Sequence, residues 1–152
     1  MTALKIVVFS DSHGNSSQMV NAVYDEKPDA VIHLGDGCRD CDALSFFEIP
    51  IYKVCGNNDF CAENRENILT FSGKKLFFTH GHYYNVRSSP SALIERAMSL
   101  GADAVLFGHT HTPLSENNGR ITVLNPGTVG YKGSYGVIEI ENGKIKTDIK
   151  TV

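Results

Sequence analysis

The chain has 152 residues, of which 41% are hydrophobic and 20% charged. That is the size and balance of one globular domain over residues 1–152 with enough apolar material for a sizeable core. A formal net charge of −3, with no stretch that concentrates Lys and Arg, excludes a broad nucleic-acid-binding surface, and no apolar run approaches the roughly 20 residues that span a bilayer. Met1-Thr2-Ala3-Leu4-Lys5 leads straight into apolar sequence with no charged leader or cleavage-type segment, so a cytoplasmic, unprocessed chain without a membrane partner is expected.

Lys5 to Phe9 is a short apolar, β-branched run and predicts a buried strand. Asn15-Ser16-Ser17 suits a helix cap, and Met19, Val20, Val23 and Tyr24 follow at helical spacing until Lys27-Pro28 stops them. Ala30 to Leu34 predicts a second strand, Asp42 to Phe47 a weaker helix and Ile51 to Cys55 a third strand. This β-α-β-α-β series implies a parallel sheet with right-handed crossovers. Ile68 to Phe71 and Lys74 to Thr79 flank Ser72-Gly73, a hairpin signal. Ser89-Pro90 opens a helix whose Leu93, Ile94, Ala97 and Met98 should face the core, with Gly101 as its stop. Asp103 to Phe107 predicts another strand. The tail predicts strands at Arg120 to Leu124, Tyr135 to Glu141 and Lys144 to Ile149, the last two joined by an Asn142-Gly143 turn. The sum is a mixed α/β chain, parallel first and antiparallel last.

Cys38-Arg39-Asp40-Cys41 has the spacing of a zinc knuckle or a redox pair. A knuckle needs a second closely spaced pair, and Cys55 and Cys61 instead flank another motif. Thiols without a metal or catalytic role are therefore expected, with a zinc or redox protein built on Cys38 and Cys41 as the competing reading.

Five polar motifs each end an apolar strand-like run: Asp11-Ser12-His13, Gly35-Asp36, Gly56-Asn57-Asn58-Asp59, His80-Gly81-His82 and Gly108-His109-Thr110-His111. In open α/β sheets ligands bind beyond the carboxyl ends of strands. In extended chain, residues two apart point the same way, so Asp11 with His13 and His109 with His111 can each converge on one site. Carboxylate oxygens and imidazole nitrogens suit borderline divalent metals. Any one motif is commonly only a turn or a surface pair; five in one small domain point to a shared site.

This ordered set resembles the calcineurin-like metallophosphoesterases. The compact size and Asn125-Pro126-Gly127-Thr128 after the last histidine pair are similar to the small bacterial and archaeal phosphodiesterase branch. The resemblance implies a four-layer α/β/β/α sandwich with two mixed sheets. It implies one divalent cation on Asp11, His13, Asp36 and His111, and a second on Asp36, Asn57, His80 and His109, with Asp36 bridging. Mn²⁺ is the leading metal; Fe, Ni, Zn and Mg fit the same donors. The implied reaction is hydrolysis of a small phosphodiester, a nucleotide among the candidates, by a hydroxide shared between the cations. Self-association into a homo-oligomer is a habit of small members.

Many relatives carry histidine where this chain has Asn58, and Asp59 orients that histidine in them. An amide donates a hydrogen bond but delivers no proton at neutral pH. The departure suits the small phosphodiesterase branch and predicts preference for diesters with good leaving groups. Asp36, Asn58, Asp59 and His82 are the candidate catalytic side chains, His82 as a substrate-contacting neighbour of His80. Arg39 and Arg87 read as solvated charges and Tyr83 and Tyr84 as packing residues. The alternative function is a non-catalytic protein-interaction scaffold, because the same fold serves as a retromer subunit in eukaryotes; the intact ligand set argues against it.

Overall fold

The computed structural model describes residues 3–60, 64–130 and 132–152; the expectations for Cys61 and for Met1 and Thr2 lie outside these. In chain order the elements are β1 (Leu4–Phe9), α1 (Ser16–Glu26), β2 (Ala30–His33), a 3₁₀ segment (Cys38–Phe47), β3 (Ile51–Lys53), β4 (Glu66–Phe71), β5 (Lys74–Thr79), α2 (Ser91–Ser99), β6 (Ala104–Leu106), β7 (Leu114–Asn117), β8 (Thr122–Asn125), β9 (Ser134–Glu141) and β10 (Lys144–Thr151). They form two five-stranded sheets, ordered β10-β9-β1-β2-β3 and β4-β5-β6-β8-β7.

Alternation along each strand explains the layers. Ile6 and Val8 of β1 point into the space between the sheets, where Ile32, Leu76, Phe78, Leu106 and Leu124 meet them. Val7 and Phe9 point the other way, under Met19 and Val23 of α1 and Leu44 of the 3₁₀ segment. On the second sheet Phe77, Val105 and Val123 turn outward beneath Leu93 and Ala97 of α2. The result is the α/β/β/α sandwich. Each sheet carries a parallel trio: β1, β2 and β3 in one, and β5, β6 and β8 in the other. Among the described residues no helix is long and apolar enough to cross a membrane.

Four local expectations change. The segment after β2 is a 3₁₀ helix that starts at Cys38, earlier than read. Met98 is 37% exposed, because α2 buries only the stripe through Leu93 and Ala97. Asn15 does not cap α1, since its Nδ2 donates back to the Ser12 carbonyl, whereas at α2 Ser89 Oγ accepts the Ser91 amide at 3.2 Å across Pro90. Strand β7 has no counterpart in the sequence reading, and β8 begins at Thr122 because Asn118 Oδ1 accepts the Arg120 and Ile121 amides in a turn.

Candidate metal centre

The five motifs leave the carboxyl ends of β1, β2, β3, β5 and β6, and hydrogen bonds close their loops on one another. Asp11 N donates to the Gly35 carbonyl at 2.9 Å, and His109 N donates to Asp11 Oδ2 at 3.1 Å across 98 residues of sequence. Two glycines permit this closeness. A Cβ on Gly56 would lie 2.2 Å from Asp36 Oδ1, and one on Gly108 would lie 1.9 Å from Ser10 Oγ. Five candidate ligands sit at positive φ: Asp11 (53°), His13 (44°), Asp36 (59°), His109 (68°) and His111 (64°). Left-handed backbone at a non-glycine residue costs on the order of 1 kcal/mol and gathers at functional sites.

Their donor atoms form two groups, Asp11 with His13 and His111, and Asp11 with Asp36 and His80, each within 4.8 Å. Asp11 Oδ1 lies 3.2 Å from His111 Nε2 and 3.8 Å from both His13 Nε2 and His80 Nε2. His80 Nε2 lies 3.4 Å from Asp36 Oδ2 and 3.2 Å from His109 Nδ1. Asp11 is therefore the carboxylate common to both groups, whereas Asp36 falls in the second alone. Asn57 is exposed on the loop after β3.

These residues fit a cation. His80 Nδ1 donates to the Leu34 carbonyl at 2.8 Å, which turns the Nε2 lone pair toward two carboxylates. Asp11, Asp36 and His80 are all buried, so these converging lone pairs need positive charge at their centre. A divalent ion with bonds of about 2.1 Å keeps adjacent donors about 3.0–3.4 Å apart, close to the spacing found. Burial would lower the His80 pKa, but the Asp36 hydrogen bond and the Asp11 and Asp36 charges hold it above the ordinary histidine value. Burial would raise Asp36, yet contacts from His80 and Asn58 hold that carboxyl well below the carboxylate range.

Two further side chains build the loops. Asp59 accepts the backbone amides of Asp36 (2.7 Å), Gly37 (2.8 Å), Cys38 (3.2 Å) and Gly56 (2.8 Å), so it fixes the Asp36 turn from behind. His33 is fully buried; its Nδ1 accepts the Gly35 amide at 3.1 Å and its Nε2 faces Ser12 Oγ at 3.0 Å. The Ser12 hydroxyl donates onward to Asp40 Oδ2 at 2.6 Å, and the same oxygen accepts Gly14 N. This chain ties the Asp11-Ser12-His13 turn to the 3₁₀ segment. Burial lowers His33 to about 4.

Asn58 lies over the cluster: its backbone N and Nδ2 both donate to the Asp36 carboxylate, at 2.8 and 2.9 Å. His82 packs 5.4 Å from the His80 ring and 6.1 Å from the His109 ring, and burial together with those neighbours lowers its pKa. Arg39 is exposed, as expected. Arg87 is not simply solvated, because its Nε donates to His109 Nε2 at 3.1 Å. Tyr84 is scaffold, edge-on to Phe77 and bonded to Glu66, while Tyr83 is 63% exposed. Cys38 and Cys41 are buried, Cys38 Sγ donates to the Val54 carbonyl, and burial pushes the Cys41 thiol up to about 12. The metal-capable groups among the described residues contain no cysteine; Cys55, expected as a thiol, is instead disulfide-bonded. Sequence reading missed Ser10, Ser12, His33, Asp40 and Thr128, whose hydroxyl donates to the Asp11 carbonyl. Ser12, Asp40 and Thr128 lay inside recognised motifs without a role assigned to them; Ser10 and His33 carried no local signal.

A family model described as a calcineurin-like phosphoesterase superfamily domain matches residues 4–143. A probable metallophosphoesterase of Bacillus subtilis is 30% identical over 149 residues, covering 91% of this chain and 86% of that protein. A phosphodiesterase of Methanocaldococcus jannaschii is 30% identical over 145 residues, covering 82% of this chain and 83% of that one. The crystal structure of Vps29 complexed with zinc from Entamoeba histolytica shares the fold, with a TM-score of 0.78, 19% identity, and coverage of 97% and 98% of the two chains. The buried carboxylate–histidine cluster and the match across both sheets lead to one assignment: the chain belongs to the calcineurin-like phosphoesterase superfamily, whose members are metal-dependent phosphoesterases.

Proposed function

We propose that the chain is a phosphodiesterase that hydrolyses small diesters at a dinuclear centre, with Asp11, His13, Asp36, Asn57, His80, His109 and His111 as the ligand set and Mn²⁺ as the leading metal. The observation that carries this reading is the buried convergence of Asp11, Asp36 and His80, with His13, His109 and His111 at its edge. Bound cations would supply charge neutralisation for the phosphoryl oxygens and an activated water. The chain's own groups supply position. Asp59 holds the Asp36 loop, the Leu34 carbonyl sets the His80 tautomer, and the His33–Ser12–Asp40 chain sets the Asp11-to-His13 turn.

Diester preference follows from Asn58. Its carboxamide already donates to Asp36, and it carries no proton that it can give to a departing alkoxide. A leaving group that departs without protonation is therefore favoured. The similarity to the phosphodiesterase of Methanocaldococcus jannaschii supports the same choice. The cytoplasmic location and self-association read from the sequence belong to this proposal.

The test is metal-depleted protein assayed on aryl phosphodiester and aryl phosphomonoester across added Mn²⁺, Fe²⁺, Ni²⁺, Zn²⁺ and Mg²⁺, with Asp36→Ala as control. Diester turnover restored by a cation and absent in the control is expected; faster monoester turnover overturns the diester reading. Inactivity under every cation would favour the scaffold role, since the fold that Vps29 shares does not by itself decide function. Asn58→His should raise turnover of poorer leaving groups while metal content per chain stays the same.

A further inference from the structure

We propose that Arg65, His82, Tyr83 and Arg87 form an anion subsite at the rim, which selects diesters bearing a second phosphate, of the nucleotide kind. The proposal rests on the phosphodiesterase reading and specifies its substrate class. The rim is continuous with the His80 and His109 side of the cluster. The His82 ring lies 5.4 Å from His80 and 4.3 Å from Tyr83, and the Arg65 guanidinium carbon sits 4.7 Å from the Tyr83 ring centre. Arg87 closes the other flank through its 3.1 Å contact with His109.

Three features suit an anion. Neither guanidinium has a carboxylate partner among the described residues, in a chain whose net charge is −3. Both side chains belong to exposed residues. Arg87 spends one of its five N–H donors on His109 Nε2 in this structure. With a cation held by His109 Nδ1, Nε2 would carry the proton and release the Arg87 Nε–H as well. The outer nitrogens are available either way, and a guanidinium fork matches phosphate oxygens in pairs. Cation–π contact with Tyr83 holds Arg65 in place before any ligand arrives, which lowers the ordering cost of binding. In addition, His82 Nδ1 is the buried side-chain polar atom without a partner among the described residues, so the rim contains a site that a ligand or its water completes.

The geometry separates this anion from the scissile one. A phosphate on the candidate ligands lies against His80 and His109. Arg65 stands two rings further out, past His82 and Tyr83, where only a substituent can reach it. On the Asp11, His13 and His111 side the neighbouring charge is Asp40, which is committed to Ser12 and Gly14 and would repel an anion.

The decisive pair is the p-nitrophenyl ester of thymidine 5′-phosphate with and without a 3′-phosphate, which share one scissile bond and one leaving group. For wild type with saturating Mn²⁺, kcat/KM should be about tenfold higher for the 3′-phosphorylated ester, as one charge-assisted contact to phosphate implies. The gain should lie in KM and shrink with added salt. In the Arg65→Gln, Arg87→Gln double variant the preference should fall to about twofold or less. Equal kcat/KM in wild type, or a preference that survives the double substitution, overturns the subsite. Calorimetric titration without added metal, using thymidine 3′,5′-bisphosphate against thymidine 5′-phosphate, reads the subsite independently of turnover. Tighter bisphosphate binding that disappears in the double variant supports it even if neither ester is hydrolysed, and equal binding of the two nucleotides by wild type rejects it.

Discussion

Replacement of Asp59 by Asn tests whether this carboxylate acts as scaffold for the site. Asp59 Oδ1 accepts the Gly37 and Cys38 amides, and Oδ2 accepts the Asp36 and Gly56 amides. Asparagine keeps one oxygen and turns an NH₂ group toward the other pair, so two charge-assisted bonds are lost and two donors face donors. Such bonds contribute about 1.5–3 kcal/mol each. The residue is half-buried, so the lower figure applies and the loss comes to about 3 kcal/mol. For a chain of this size that is a Tm decrease of about 6–12 °C. The metal-free protein is the sample of choice, with calorimetry for Tm and urea for the free energy, because bound cations would mask the effect. Contacts from Gly56, Gly37, Cys38 and Asp36 outweigh burial and hold the Asp59 pKa below its ordinary value. The wild-type advantage is therefore present above the unfolded carboxyl pKa and lost as pH falls through the folded one. A metal-free Tm within about 2 °C of wild type would refute this reasoning and return Asp59 to direct contact with substrate.

Three other outcomes follow from the geometry. Gly56→Ala should destabilise the fold by about 3 kcal/mol or more and abolish divalent-cation binding, because the new Cβ would sit 2.2 Å from Asp36 Oδ1 and 2.4 Å from the Asp36 backbone nitrogen; urea midpoint and metal content per chain check it. His33 is held neutral at about 4, so the unfolded chain binds more protons and stability should drop as pH falls from 6.5 toward 4, by about 3 kcal/mol in all; a flat urea midpoint over that range would contradict the buried neutral imidazole. Glu26, bonded to Lys150, Lys5 and Tyr135, has its carboxyl lowered from 4.5 to about 2 against the effect of burial. It should stabilise above pH 4.5 and lose that contribution, about 2 kcal/mol after screening, as pH falls toward 2, a slope that Glu26→Gln should remove.

The parts of this fold that were legible share a physical reason. Ile6, Val8, Ile32 and Leu34 are wholly buried, so each strand feeding the site had to be apolar, and the polar residues that follow stood out against it. The hairpin at Ser72-Gly73 was readable because both residues take positive φ, as such a turn demands. Strand β7 was not, since three of its four residues are exposed and it carries no apolar alternation. The same limit hid His33 and Arg87. His33 reads as one residue inside the apolar run from Ala30 to Leu34, and its function depends on Ser12, 21 residues away. Arg87 reads as loop charge, and only the fold brings it to His109. Motif spacing reports which residues leave a strand together; it says nothing of what meets them from another strand or loop.

The backbone of the centre gives its own reason for keeping these side chains. Asp11, His13, Asp36, His109 and His111 occupy left-handed conformations that glycine adopts without cost, and the neighbouring Gly14, Gly35 and Gly37 show how readily this chain supplies glycine in the same loops. For a turn alone, glycine at those five positions would be the more stable solution, by several kcal/mol in sum. Buried carboxylates at Asp11 and Asp36 compound the cost, since each must be held ionised away from water. A fold that carries strained backbone and buried charge at one point is stabilised by whatever neutralises that charge, because a ligand that binds only the folded chain shifts the folding equilibrium toward it. The arrangement is therefore weakest where the cation belongs, and metal binding and folding stability should be measured as one coupled property of this chain.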